Sequence, residues 1–320
     1  MKCRLLNSVF WGFLLSCLLG SNPVVAAEPL WLISTREAPV NSCCQGTVGP
    51  EAFDYHYCNN DGQWTDADLP AFLATNDPAV PTTIFVHGNR TDRQSAAEMG
   101  CQIYRRLQCA AEGRPFRLVI WSWPSERMSC GARADARIKA CRSDAESFYL
   151  ANVLDRLPSP SPVALIGYSF GARVVSGALE LLAGGTIACQ TLDSKRDHTL
   201  RPRVLLIAAA ADSDWLAAGH RYGQALSQVE SMLISCNQRD PALRRYRFME
   251  SLCHGPTALG FTGALGLSEQ DRSKVALLDV GREVGRHHDW DRYFSSPSIL
   301  ARLSDYAMKP KDRNTVRHEN

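Results

Sequence analysis

Apolar and polar positions along this chain alternate in blocks rather than residue by residue. Short continuous apolar runs begin at Thr82 ("TTIFVHG"), Phe116 ("FRLVIWSWP"), Val163 ("VALIGYS"), Arg203 ("RVLLIAAAAD"), Ser231 ("SMLISCNQRD") and Lys274 ("KVALLDV"). Between them lie stretches whose spacing predicts helices over 93–111, 144–157, 172–182, 215–226 and 297–308. Pro158, Pro160 and Pro162 break the second of these before the next run begins. Continuous apolar strands alternating with helices predict an α/β fold, a mostly parallel sheet covered by helices on both faces. Ahead of this core, "LWLISTREA" reads as a strand. A Cys- and Gly-rich segment to Trp64 reads as loop, and Thr65 as the cap of a short helix through Ala74.

The pattern divides the chain into a leader over 1–27, an N-terminal strand and Cys-rich segment over 28–81 that belongs with the core, the α/β core over 82–308, and a charged tail over 309–320. In the leader, Lys2 and Arg4 precede "VFWGFLLSCLLG", and Val25 and Ala27 suit the small-residue positions of a signal-peptidase site. The expectation is export, secreted or periplasmic, with cleavage near Ala27. The apolar stretch is short for a spanning helix, so no transmembrane span is expected in the mature chain. Twelve cysteines in the sequence become ten once Cys3 and Cys17 leave. An oxidising compartment would favour disulfides among them. Cys130 with Cys141 is the expected pair, and Cys236 with Cys253 and Cys58 with Cys43 or Cys44 are further candidates. A net charge of +2 gives no argument for a nucleic-acid partner.

"VALIGYSFGARVV" carries the candidate chemistry. An apolar run stops at Gly167, Ser169 sits at the corner, and a helical pattern starts at once. Glycines two positions either side of the serine fit G-x-S-x-G, in which a strained strand-to-helix turn lifts a nucleophilic hydroxyl above the sheet and leaves no room for side chains at the flanking positions. The bland alternative is a glycine-bounded turn with an inert serine.

With this motif, and with "IFVHGNR" after an earlier strand, the chain resembles the α/β-hydrolase fold family over roughly Thr82 to Met308. The resemblance implies an oxyanion hole made by the backbone N–H groups of Phe170 and Asn89, with His87 shaping the loop rather than acting as base.

A serine needs an imidazole to take its proton and a carboxylate to hold that imidazole. Asp212 and Asp214 follow one strand and Asp240 follows the next, all at strand ends where open sheets hold their chemistry. Each also reads as a helix cap. The resemblance favours Asp240 through "SCNQRDPAL". After the last run come His287 and His288, and "HDWDRY" resembles family members in which the catalytic histidine leads into the final helix, favouring His288. A metal-binding reading of His287, His288 and Asp289 lacks further ligands at a recognisable spacing, so no metal and no cofactor is implied.

The expected function is a serine hydrolase acting on a small-molecule or lipid-like ester through Ser169, His288 and Asp240. Acyl transfer on the same residues, or a binding protein with a vestigial site, are the alternatives from other classes. The glycine-rich "CHGPTALGFTGALGLSEQ" reads either as a flexible wall over the site or as an ordinary packed loop.

Overall fold

The structure is a computed structural model that describes residues 30–40, 46–59, 61–158, 162–194, 200–249 and 255–308. The leader, the charged tail, Cys43, Cys44 and Cys253 lie outside the described residues.

Among the described residues nine strands form one sheet, in the order β3-β2-β1-β5-β4-β6-β7-β8-β9. The strands are β1 (Leu30–Ser34), β2 (Asp54–Cys58), β3 (Trp64–Ala67), β4 (Thr82–Val86), β5 (Arg117–Ser122), β6 (Val163–Tyr168), β7 (Arg203–Ile207), β8 (Ser231–Cys236) and β9 (Val275–Asp279). Only the β1–β2 and β2–β3 pairs are antiparallel; β1 joins β5 in parallel and the rest of the sheet is parallel. The helices are α1 (Leu69–Ala74), α2 (Arg93–Ala111), α3 (Ala132–Arg156), α4 (Gly171–Leu182), α5 (Pro241–Arg245), α6 (Leu259–Thr262), α7 (Glu269–Arg272), α8 (Gly281–Val284), α9 (Trp290–Phe294) and α10 (Pro297–Met308).

β4 is the pivot of the sheet. The chain leaves it for β5 on one side and returns from β5 to β6 on the other. Right-handed crossovers therefore put α2 on one face and α3 on the opposite face. α10 packs with α2, and α4 packs with α3, closing both sides. The α3–α4 contact is close because both residues there are small: a Cβ at Gly177 would stand 2.3 Å from Ser147 Oγ. β4, β5 and β6 are buried along their whole length, as strands covered on two faces must be.

Four local expectations change. Cys130 and Cys141 are free thiols, because Cys130 precedes α3 and Cys141 sits in its third turn. At ~1.5 Å rise per residue the two stand beyond the roughly 7 Å Cα separation a disulfide tolerates. Cys58 and Cys236 are free thiols as well. Asp54–Cys58 and Trp64–Ala67 pair as the antiparallel strands β2 and β3 rather than forming a loop, and Asp68, not Thr65, caps α1 by accepting from Ala71 N–H. α3 begins at Ala132, one half earlier than its apolar spacing indicates. The 215–226 stretch is a run of tight turns instead of a helix. Gly219 takes φ +81° there, and bonds such as His220 N–H to Ala217 O close four-residue turns.

Candidate active site

Ser169 stands at the C-terminal end of β6, beside the pivot strand, where an open sheet leaves a crevice. Its φ is +53°, a left-handed conformation that costs a non-glycine residue ~1 kcal/mol or more. The corner is held by backbone bonds, Ser169 N–H to Ile207 O at 2.9 Å and Ala210 N–H to Ser169 O at 3.1 Å. The glycines are sterically required. A Cβ at Gly167 would lie 2.8 Å from Ala172 Cα, and one at Gly171 only 2.1 Å from Val86 O. α4 begins at Gly171, so its positive end faces the serine.

Three side chains from three loops converge here. Ser169 Oγ is 2.9 Å from His288 Nε2, and His288 Nδ1 is 2.6 Å from Asp240 Oδ2. A carboxylate accepts only, so Nδ1 carries the proton and Nε2 is left to accept from the serine. Asp240 is fully buried, and its other oxygen caps α5 by accepting from Ala242 and Leu243 N–H. The cap and the imidazole partner, alternatives in the sequence, are the two oxygens of one residue. His288 is fixed from behind, where the Tyr168 hydroxyl donates to its carbonyl. Burial, with the nearby charge of Asp240, holds that phenol above its ordinary range, so it remains a donor.

The other sequence candidates lie elsewhere. His287 is half exposed and turns toward Asp289 at 3.5 Å. Asp212 accepts from the Tyr246 hydroxyl at 2.6 Å, and Tyr246 in turn accepts from Arg173 Nη2 at 2.6 Å. Arg173 is buried in the first turn of α4, donates to Ala210 O at 2.8 Å and lies over the rings of Trp215 and Phe170. Asp212 thus belongs to a network that pins the β7 loop to the serine helix. Asp214 lies 3.4 Å from His220.

The β4 loop approaches the serine closely, for a Cβ at Gly88 would be 2.9 Å from Ser169 Cβ. Among the described residues the Asn89 and Phe170 backbone N–H groups have no acceptor. His87, behind this loop, is fully buried and stacks on Trp123 with an interplanar angle of 11°. It accepts from Trp123 N–H and bonds Gly88 O, and burial pushes it down to about 3, which keeps it neutral. The glycine-rich stretch is strapped down. Leu259 N–H donates to Ala211 O, Gly260 N–H to Ala209 O, Leu265 N–H to Ser213 O, and Asn237 N–H to Gly260 O.

Two side chains around the triplet have no sequence signal of their own. Tyr293 donates to Asp240 Oδ2 at 2.7 Å, and Asn237, wholly buried, donates to Tyr293 at 3.3 Å.

Residues 65–254 match the model of a family described as alpha/beta hydrolase of unknown function (DUF900). No curated protein matches the chain. Among solved structures it is similar to an acetylxylan esterase, with 10% identity over 72% of this chain and 95% of that one at a TM-score of 0.35. It is also similar to Zea mays acyl-protein thioesterase 2, with 13% identity over 63% of this chain and 85% of that one at a TM-score of 0.33.

Proposed function

The chain belongs to the alpha/beta hydrolase family of unknown function (DUF900), and from that premise we propose that it is a serine hydrolase cleaving a carboxylic ester or related acyl bond. The observation that carries the reading is the unbroken line of hydrogen bonds from Ser169 Oγ through His288 to Asp240.

In the first half-reaction Ser169 Oγ bonds to the acyl carbon while its proton passes to His288 Nε2. The carbonyl π electrons move onto oxygen, and the Phe170 and Asn89 N–H groups are the donors available to that oxyanion. Collapse breaks the bond to the leaving oxygen, which departs with the proton from Nε2, and an acyl-serine remains. Water then attacks, losing its proton to the same nitrogen, and a second collapse releases the acid and restores the serine. Asp240 holds Nδ1–H throughout and supports the positive charge that imidazole gains at each attack.

Labelling with a fluorophosphonate tests this. The probe is expected to modify Ser169 in the wild type and to leave Ser169→Ala unmodified. Peptide mapping that finds the label elsewhere would remove the nucleophile. A series of p-nitrophenyl esters of rising chain length then defines the acyl group.

A further inference from the structure

The line of buried hydrogen bonds does not stop at the carboxylate, and its polarity can be worked out from donors and acceptors. Asn237 Oδ1 accepts from Arg239 N–H at 3.0 Å, which identifies the oxygen end of that amide. The other end, Nδ2, faces Gly285 O at 3.0 Å, an acceptor, and Tyr293 Oη at 3.3 Å. Tyr293 therefore receives from Asn237, and its single proton is left for Asp240 Oδ2. That oxygen serves two donors, His288 Nδ1–H and the Tyr293 hydroxyl, while Oδ1 is taken by the α5 cap.

We propose that Tyr293, aimed by Asn237, is a positioning residue that fixes the Asp240 carboxylate and limits how strongly it draws on the His288 proton. The proposal rests on the reading of Ser169, His288 and Asp240 given above. Two donors on one oxygen share its electron density, so the phenol moderates the support Asp240 gives to imidazolium. Burial holds the phenol well above its ordinary range, with the charge of Asp240 adding to the effect, so it stays a donor across the working pH range. Besides His288, the titratable groups facing this pair are Tyr168 at the end of β6, which acts on Tyr293, and Asp289, which acts on Tyr168; Asp279 at the end of β9 lies near Asn237 around Gly281. Among the described residues none of these donates to Asp240 Oδ2.

The test follows the pH dependence of fluorophosphonate labelling. Tyr293→Phe removes the second donor, so Asp240 supports imidazolium more strongly and the acid limb of the rate profile moves up by about half a pH unit or more. Placing 3-fluorotyrosine at position 293 makes the phenol a better donor in the same space, and moves the limb down. A purely structural tyrosine lowers the rate alike at every pH and leaves the limb in place, and that result in both proteins overturns the proposal. If Tyr293→Phe does not fold, the fluorinated protein decides alone. His288→Ala separates the two levels. An inert His288→Ala with unmoved limbs sinks only the role of Tyr293, whereas full labelling of His288→Ala sinks the serine–histidine reading and this proposal with it.

Discussion

Asp240 carries two loads at once, capping α5 with one oxygen and holding the His288 ring with the other. Asp240→Asn keeps the cap through its amide oxygen but turns an N–H donor toward Nδ1–H and the Tyr293 hydroxyl, favouring the wrong tautomer. Turnover of a chromogenic ester is expected to fall ~10³–10⁴-fold with little change in the thermal midpoint. Asp212→Asn retains an oxygen for Tyr246, and turnover is expected to stay within about tenfold of wild type, since Asp212 touches the β7 clamp and not the imidazole. The opposite ranking would move the acid to the β7 loop. Ser169 stood out in the sequence through its glycine-bounded strand-to-helix corner, and Asp240 and His288 stood out over Asp212 and His287 through the resemblance to α/β hydrolases. Tyr293 and Asn237 did not, because their role depends on which atoms of a folded neighbour they meet, and nothing local encodes that.

Elements were legible where burial was apolar and obscure where it was polar. β4 to β8 show as apolar runs because they are core strands, whereas β9 is an apolar run on the exposed edge of the sheet. The first half of α3 is hidden because its inward face carries Asp135, Lys139 and Ser143, all buried. Lys139 Nζ and Asp135 meet at 2.7 Å, and Ser143 turns back onto a carbonyl of its own helix, so polar residues at helical spacing occupy positions that usually announce themselves by leucine. The β2–β3 pair was missed because its strands mix aromatic, acidic and cysteine side chains that read as loop. The serine corner makes the sharpest prediction at this scale. In Gly171→Ala the new methyl meets Val86 O, a backbone atom of a core strand that cannot step aside. The expected loss of stability is on the order of 3 kcal/mol or more, measured by urea unfolding, or loss of soluble protein altogether.

At the scale of the molecule, Glu146 joins α3 to the sheet and makes stability depend on pH. It is fully buried, accepts from Thr35 Oγ1 at 2.7 Å and Trp121 Nε1 at 2.9 Å, and burial pushes it up to about 8, with those two donors opposing the rise. The folded state thus binds a proton that the unfolded chain releases near pH 4.5. This contribution is fully present below that pH and is lost as pH rises through about 8. Glu146→Gln keeps both hydrogen bonds without the proton. Relative to this variant the wild type is expected to weaken by a few kcal/mol between pH 5 and pH 9, read from urea midpoints. Parallel melting curves across that range would refute it. The sheet and its helices followed from block patterning, while the pivot at β4 depended on which strands pair, which blocks alone do not state.

The strap over the β7 and β8 loops is sewn down by main-chain hydrogen bonds at Leu259, Gly260 and Leu265. A peptide group offers the same donor and acceptor whatever side chain it bears. The seam therefore holds its place whatever stands at the exposed Leu265, whereas Phe261 packs against the core, the Thr262 hydroxyl is hydrogen-bonded to that of Thr257, and a Cβ at Gly260 would lie 2.5 Å from Ala209 N. Position and identity are uncoupled at that residue, so a saturation library confined to Leu265 would change the outer surface of the stretch without moving the frame that holds it.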